Sequence, residues 1–305
     1  MSLKKILVGF VFLAAVIFTF IISGLEDTYL DGISLFFVIG TTIPVTYLIV
    51  RDRAAHWADV FLAFGLPVGL LGGTVGATGM ALNLASPDIV FPTTAIMLLT
   101  TLYGGLISAI GYFAQSQSRN LRPANLSNGS FVLCLTLLMG IIGWVMSDAA
   151  GSEVFADLRA FYVFGVIYTA IFFFLKQVRS QDLVSAALFS SMLCLAAGLI
   201  QWFGSDGRDK SGIAFAMNGL NYGLFIYIVV YLWSLRNSTE SIEAGKANWH
   251  WMEVSAFLVF MLFAPETIRE SLINQQDEEA ALIENAELED RLASLEKRLA
   301  LLEES

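Results

Sequence analysis

Charge is what this chain has little of. Only 14% of its 305 residues are charged, against roughly a quarter in ordinary soluble domains. It has two histidines and two cysteines, which leaves no histidine–carboxylate or cysteine–histidine constellation of the kind that catalysis or metal binding needs. Cys134 and Cys194 both lie inside apolar runs and read as small buried hydrophobes rather than a disulfide. His56 and His250 neighbour tryptophans at the edges of apolar runs, where interfacial anchoring suits them. No enzyme motif is present, and no catalytic residue, metal site or cofactor is expected. The net charge of −10 is concentrated at one end: from Glu266 onward there are twelve acidic and four basic residues. The body is close to neutral, so it offers no basic surface for nucleic acid.

What the chain does have is apolar length. Hydrophobic residues make up 56% of it. Eight runs, near 6–23, 33–50, 60–84, 89–113, 131–146, 160–175, 183–203 and 212–233, approach or reach the ~20 residues that cross a bilayer. The fold class expected is therefore an all-α polytopic membrane protein. Lys4, Lys5, Arg51, Arg53, Arg119, Arg122, Lys176, Arg179, Arg236 and Lys246 fall on one side of these spans, and only Arg159, Arg208 and Lys210 on the other. That asymmetry puts the N-terminus in the cytoplasm. None of the eight spans carries a charged residue or histidine at mid-depth; Asp59, Asp148 and Asp182 sit at ends.

Phe36-Phe37-Val38-Ile39-Gly40 of the second span returns as Phe161-Tyr162-Val163-Phe164-Gly165 in the sixth. Tyr103-Gly104 of the fourth returns as Tyr222-Gly223 in the eighth. The pattern predicts two parallel four-span repeats, residues 1–116 and 117–236, the first lining a pore and the second, degenerate, lying peripherally. Residues 237–265 form a connector with an interfacial helix or a short ninth span over 249–264. Residues 266–305 form a coiled-coil tail. In that tail Asn285, Leu288, Leu292, Leu295, Leu299 and Leu302 keep heptad phase and form the expected coiled-coil core.

Polar chemistry within the spans is confined to small neutral groups. Gly65, Gly69, Gly72, Gly76 and Gly79 keep 4,3,4,3 spacing on the third span, a face on which another helix can approach closely. Thr74 and Thr78 occupy a different face. The fourth span carries Thr93, Thr100, Gly104, Ser108 and Gly111 as a second small and polar stripe, with Thr94 and Thr101 beside it. Each hydroxyl alone can bond back to the carbonyl one turn earlier, but two matched stripes point to neutral oxygens along an ion path. Without a titratable group in the membrane, a proton relay needs a carboxylate supplied by another polypeptide.

The order of an apolar pair with a short acidic outer loop, a Gly-rich span with Gly73-Thr74, then Pro92 and Leu99-Thr100-Thr101-Leu102-Tyr103-Gly104, resembles the MotA/TolQ/ExbB family of proton-channel subunits, in particular its flagellar stator branch. The likeness covers about residues 6 to 113 well and the second half faintly. It implies a homo-oligomeric ring, usually a pentamer, in the bacterial inner membrane around a single-span MotB/ExbD/TolR-like partner with a membrane aspartate. It assigns Thr74, Thr100 and Thr101 to the ion path, and Pro92, Tyr103 and Gly104 to pore shaping; from the residues themselves Thr78 is a further ion-path candidate, and Gly69, Gly72, Gly73 and Gly76 are expected in pore shaping and helix packing. In two respects the chain departs from the family. Gly73 stands where the family threonine is expected, one residue before Thr74, and the cytoplasmic domain between spans two and three shrinks to Arg51–Trp57.

The function expected is a non-enzymatic subunit of a proton channel that converts ion-motive force into mechanical work in its partner. Two alternatives stay open at the level of sequence: a small-solute secondary transporter built of parallel repeats, and a non-conducting membrane scaffold whose coiled coil recruits a partner.

Overall fold

The computed structural model describes residues 31–83, 90–114, 125–150, 155, 157–174, 180–205 and 210–237, and scattered positions between 269 and 292. Among the described residues the chain is helical, without strands, in seven main helices: α1 (Gly32–Arg51), α2 (Trp57–Asn83), α3 (Val90–Ala114), α4 (Asn128–Ala150), α5 (Leu158–Phe174), α6 (Ser180–Gly204) and α7 (Lys210–Arg236). They coincide with the second to eighth expected spans, each ending within a few residues of the expected bounds. Six are long and apolar enough to cross a membrane; α5 is shorter, at 17 residues or about 25 Å. The first span, residues 237–265 apart from Asn237, and the tail residues Asn285, Leu295, Leu299 and Leu302 lie outside the described residues. Those described in the tail are helical, and Leu288 and Leu292 are exposed.

Local signals set the helix ends. Asp31 caps α1 by accepting from Ser34 N at 2.7 Å, and Asp157 caps α5 by accepting from Arg159 N at 2.9 Å; both satisfy amides that have no intrahelical partner. At its other end α1 closes in a Schellman turn: Ala54 N bonds Ile49 O and Arg53 N bonds Val50 O, with Arg53 at φ 59°. That conformation normally falls to glycine. The short connection then enters α2, where His56 Nδ1 accepts from Ala58 N.

Helix pairing gives the molecule its plan. The most extensive contacts join α2 to α3 and α6 to α7, and α2 also packs along α7. The four therefore run in the order α3, α2, α7, α6. Helix α1 covers α2 and α3, α5 covers α6 and α7, and α4 fits against α1, α2 and α7. One large core runs through this arrangement, with Phe37, Phe64, Leu70, Leu71, Met97, Trp202 and Tyr227 buried in it. The outward faces carry Phe36, Ile43, Tyr47, Tyr162 and Phe173, apolar surface suited to lipid. Cys134 and Cys194 are buried free thiols.

The loop beside α4 is tied from three sides. Ser127 caps α4 by accepting from Ser130 N, its own amide donates to Asp52 Oδ2 at 3.0 Å, and Arg51 reaches Ser130 Oγ at 2.9 Å. These hydroxyl and amide donors stabilise the Asp52 carboxylate and hold its pKa down at about 2. Leu126 N also bonds Leu235 O at the end of α7.

Candidate functional site

The α2–α3 seam is built by glycine. A methyl placed on Gly65 would meet Gly104 O at 2.7 Å, and one on Gly69 would meet Gly104 Cα and Thr100 O at 2.8 Å. From the other side, a methyl on Gly104 would meet Gly69 Cα at 2.6 Å. Gly72 lies against the Thr100 methyl and the Phe37 ring, and Gly76 against Met97 Cγ. Removing the Cβ atoms lets the two backbones touch, which replaces side-chain burial with dense backbone packing in an apolar solvent. Gly73 is buried. Pro92 is the third residue of α3, where its missing N–H costs nothing because first-turn amides have no intrahelical partner.

The expected ion-path threonines fall into two groups. Thr100 is buried where α3 meets α1: its hydroxyl lies 2.8 Å from Ser34 Oγ and 3.1 Å from Ile96 O. Ser34 leads in turn to Asp31, whose carboxylate caps it and whose amide donates to the Tyr103 hydroxyl. Asp31, Ser34, Thr100 and Tyr103 thus form one polar patch at the α1 N-terminus. Thr101, one residue on, is partly exposed, and its hydroxyl bonds back to Met97 O at 3.4 Å.

Thr74 and Thr78 face the other way, toward α7. The Thr74 hydroxyl lies 2.5 Å from Asn221 Oδ1 and also reaches Leu70 O, while Asn221 Nδ2 donates to Thr78 Oγ1 at 3.5 Å. All three side chains are buried. Within one chain, then, Thr74 and Thr78 meet Asn221, and Thr100 meets Ser34; α2 lies between the two groups.

Two polar side chains complete the backbone of α2, a role that the stripe containing Ser108 did not reveal and that nothing assigned to Tyr227. Pro67, inside that helix, has no amide to offer the carbonyl of Ala63. Tyr227 of α7 donates to Ala63 O at 3.1 Å instead. Ser108 of α3 inserts beside the same break, accepting from Leu66 N at 2.7 Å and lying within reach of Phe61 O and Leu62 O. The i−4 proline rule marks Ala63 in the sequence, but nothing in the sequence selects Ser108 or Tyr227.

A second small-residue seam, also not anticipated, joins α6 to α7. Gly219 packs against Cys194, Gly223 against Ser191 and Ala187, and Gly198 against Ala216 and Gly212. Ala187, Ser191, Cys194 and Gly198 repeat the 4,3,4 spacing of Gly65, Gly69, Gly72 and Gly76.

Over 74 residues the chain is 35% identical to the chemotaxis protein PomA of Vibrio alginolyticus. A segment of this chain is similar to PomA. The aligned stretch is 23% of this chain and 29% of that relative, so the chain spans less than a third of its length. No family model and no solved structure matches. The similarity to PomA and the six apolar helices of membrane-crossing length together support a multi-pass membrane protein. Among the described residues no group of histidine, cysteine and carboxylate side chains has the arrangement of a metal site.

Proposed function

We propose that this chain is a subunit of an oligomeric inner-membrane ion channel, conducting protons, that works with a single-span partner carrying a membrane carboxylate. Ion flow would drive motion in that partner. The observation that carries the reading is the polar patch Asp31–Ser34–Thr100–Tyr103 beside a backbone-tight helix pair, in spans with no Asp, Glu, Lys, Arg or His at mid-depth. Neutral oxygens can hand an ion along, but cannot store a proton. Asp31, the carboxylate of the patch, caps the end of α1 and does not lie at mid-depth, so the storing group belongs to a second polypeptide. The partial similarity to PomA supports the same class.

Purification in mild detergent should bring down a small membrane protein with an intramembrane Asp or Glu. Reconstituted with it, the chain should pass protons down a gradient. Thr100→Val with Thr101→Val keeps volume and removes both hydroxyls, and should lower flux at least tenfold while leaving the complex assembled. Wild-type flux from that double variant would refute the path.

A further inference from the structure

The two helix pairs are built on one plan, and they meet through unlike faces. Superposing the seams pairs Gly69 with Ser191, Gly72 with Cys194 and Gly76 with Gly198, and on the partner helices Thr100 with Gly219 and Gly104 with Gly223. Each helix keeps one constant sequence offset throughout. Helix α6 is thus the counterpart of α2, and α7 of α3. The halves, however, join through α2 against α7: Thr74 and Thr78 against Asn221, and the Phe64 ring against the Tyr231 ring at 5.9 Å. A contact between the α2 type and the α3 type uses two different surfaces, so it is head-to-tail. Such a contact leaves one unsatisfied copy of each surface at the two ends of the row.

Those two surfaces are present, the one on α6 exposed and the one on α3 exposed at Tyr112 and half-buried at Leu102 and Gly105. The counterparts of Leu71, Thr74 and Thr78 on α6 are Leu193, Ala196 and Ile200. Leu71 and Thr78 are 1% and 0% exposed, whereas Leu193 and Ile200 are 53% and 72% exposed, and Ala196 is exposed too. At the other end, Asn221, Leu224 and Tyr231 of α7 correspond to Leu102, Gly105 and Tyr112 of α3. Tyr231 is 4% exposed and Tyr112 60%. Gly105 has open space around it. The buried polar set of the inner joint is replaced on these outer surfaces by Leu102, Ala196 and Ile200, so they can meet without leaving a hydroxyl or amide unpaired in lipid.

We infer that α6 of one chain receives α3 of a second copy of this chain, repeating between chains the joint that α2 and α7 make within one. Each chain then fills two neighbouring positions in the assembly, the second half standing beside the first. A closed ring of whole chains therefore holds an even number of positions; a ring of five positions is excluded, whereas five chains would make a ring of ten. The inference deepens the oligomeric part of the reading above and rests on it, but it needs neither ion flow nor a partner.

The inner joint supplies the register for a test. Thr74 meets Asn221, so Ala196 should meet Leu102 of the neighbour, and Leu193 should meet Gly105 one turn away. Two differently tagged copies, one Ala196→Cys and the other Leu102→Cys, are co-expressed and oxidised in native membranes. A mixed-tag disulfide dimer is expected, since only Cα atoms within about 7 Å can be bridged. A chain carrying both changes should give a ladder of chain multiples. Leu193→Cys with Gly105→Cys is the second pair, used if the first does not accumulate. Gly140→Cys on the open face of α4 is the control and should not cross-link. Folded chains that give no mixed dimer from either pair, or that cross-link through Gly140 instead, overturn the inference. Absence of proton flux in chains that do cross-link would count against the proposed channel and leave this joint standing.

Discussion

Tyr227 on α7 donates its hydroxyl to the carbonyl of Ala63 on α2, the group that Pro67 leaves without an amide four residues later. A proline inside a membrane helix is tolerated when neighbouring helices supply the lost hydrogen bond, and here the supplier comes from the other half of the chain. Tyr227 stacks on Tyr231, which packs on Phe64, so the hydroxyl is held in place by its aromatic neighbours.

Tyr227→Phe should therefore destabilise the protein by about 1 to 2 kcal/mol, the cost of a buried carbonyl left unpaired reduced by the compensation common in membranes. Pro67→Ala restores an amide at that site. In the Pro67→Ala background the tyrosine change should cost distinctly less, and thermal unfolding in detergent across the four variants reads the coupling directly. Additive effects would mean that the hydroxyl does not serve the break.

Gly104→Ala should be among the most damaging single-methyl additions in the described region. The added carbon would sit 2.5 Å from Gly65 O and 2.6 Å from Gly69 Cα, which are backbone atoms that can yield only by separating α2 from α3. Overpacking of this kind costs about 1 to 3 kcal/mol. Gly140→Ala on α4 meets nothing within 4 Å and should be neutral or slightly stabilising, since alanine is the better helix former. Detergent melting curves of both variants, run side by side, test the contrast.

Arg53 holds a left-handed conformation at φ 59° in the turn after α1. Arg53→Gly should raise stability by up to about 1 kcal/mol, because glycine enters that region without the Cβ clash. Arg53→Val should lower it. A higher melting temperature for valine than for glycine would refute the turn geometry.

Asp52 sets an acid limit on the α1–α4 junction. Its pKa lies at about 2, below the ordinary value of 3.8, chiefly through the hydroxyls of Ser130 and Ser127. A lowered carboxylate pKa contributes stability that is full above pH 3.8, declines as pH falls toward 2, and is gone below that. Asp52→Asn should flatten stability across that window and lower it at neutral pH, where the ionised carboxylate of the wild type makes its full contribution. Unfolding midpoints of the wild type and variant, measured at intervals from pH 5 to 2, should converge as the pH falls.

Most of the helix plan was legible in the sequence because lipid imposes a length rule on apolar runs. The described parts of seven of the eight expected spans are helices within a few residues of their expected bounds. The glycines at 4,3,4 spacing lie where α2 meets α3, while Thr74 and Thr78 face α7. The α6 seam escaped notice because alanine, serine and cysteine also read as ordinary filling of an apolar run; only contact with Gly219 and Gly223 shows their smallness in use. Ser108 looked like one more hydroxyl in a stripe. That it enters the hydrogen-bond ladder of α2 depends on how two helices far apart in the chain are set against each other, which periodicity does not encode.

The proline break in α2 also bears on the order in which the protein can be made. Ser108, which bonds Leu66 N, lies 42 residues further along the chain, while Tyr227 is 164 residues beyond Ala63. As the chain leaves the ribosome, α3 can follow α2 into the bilayer at once and mend one side of the break. The bare carbonyl of Ala63 must wait for the last described helix. Until then it needs water, a lipid headgroup or the insertion machinery itself to solvate it, so truncated nascent chains that stop short of α7 should hold α2 loosely and be preferred substrates for membrane proteases.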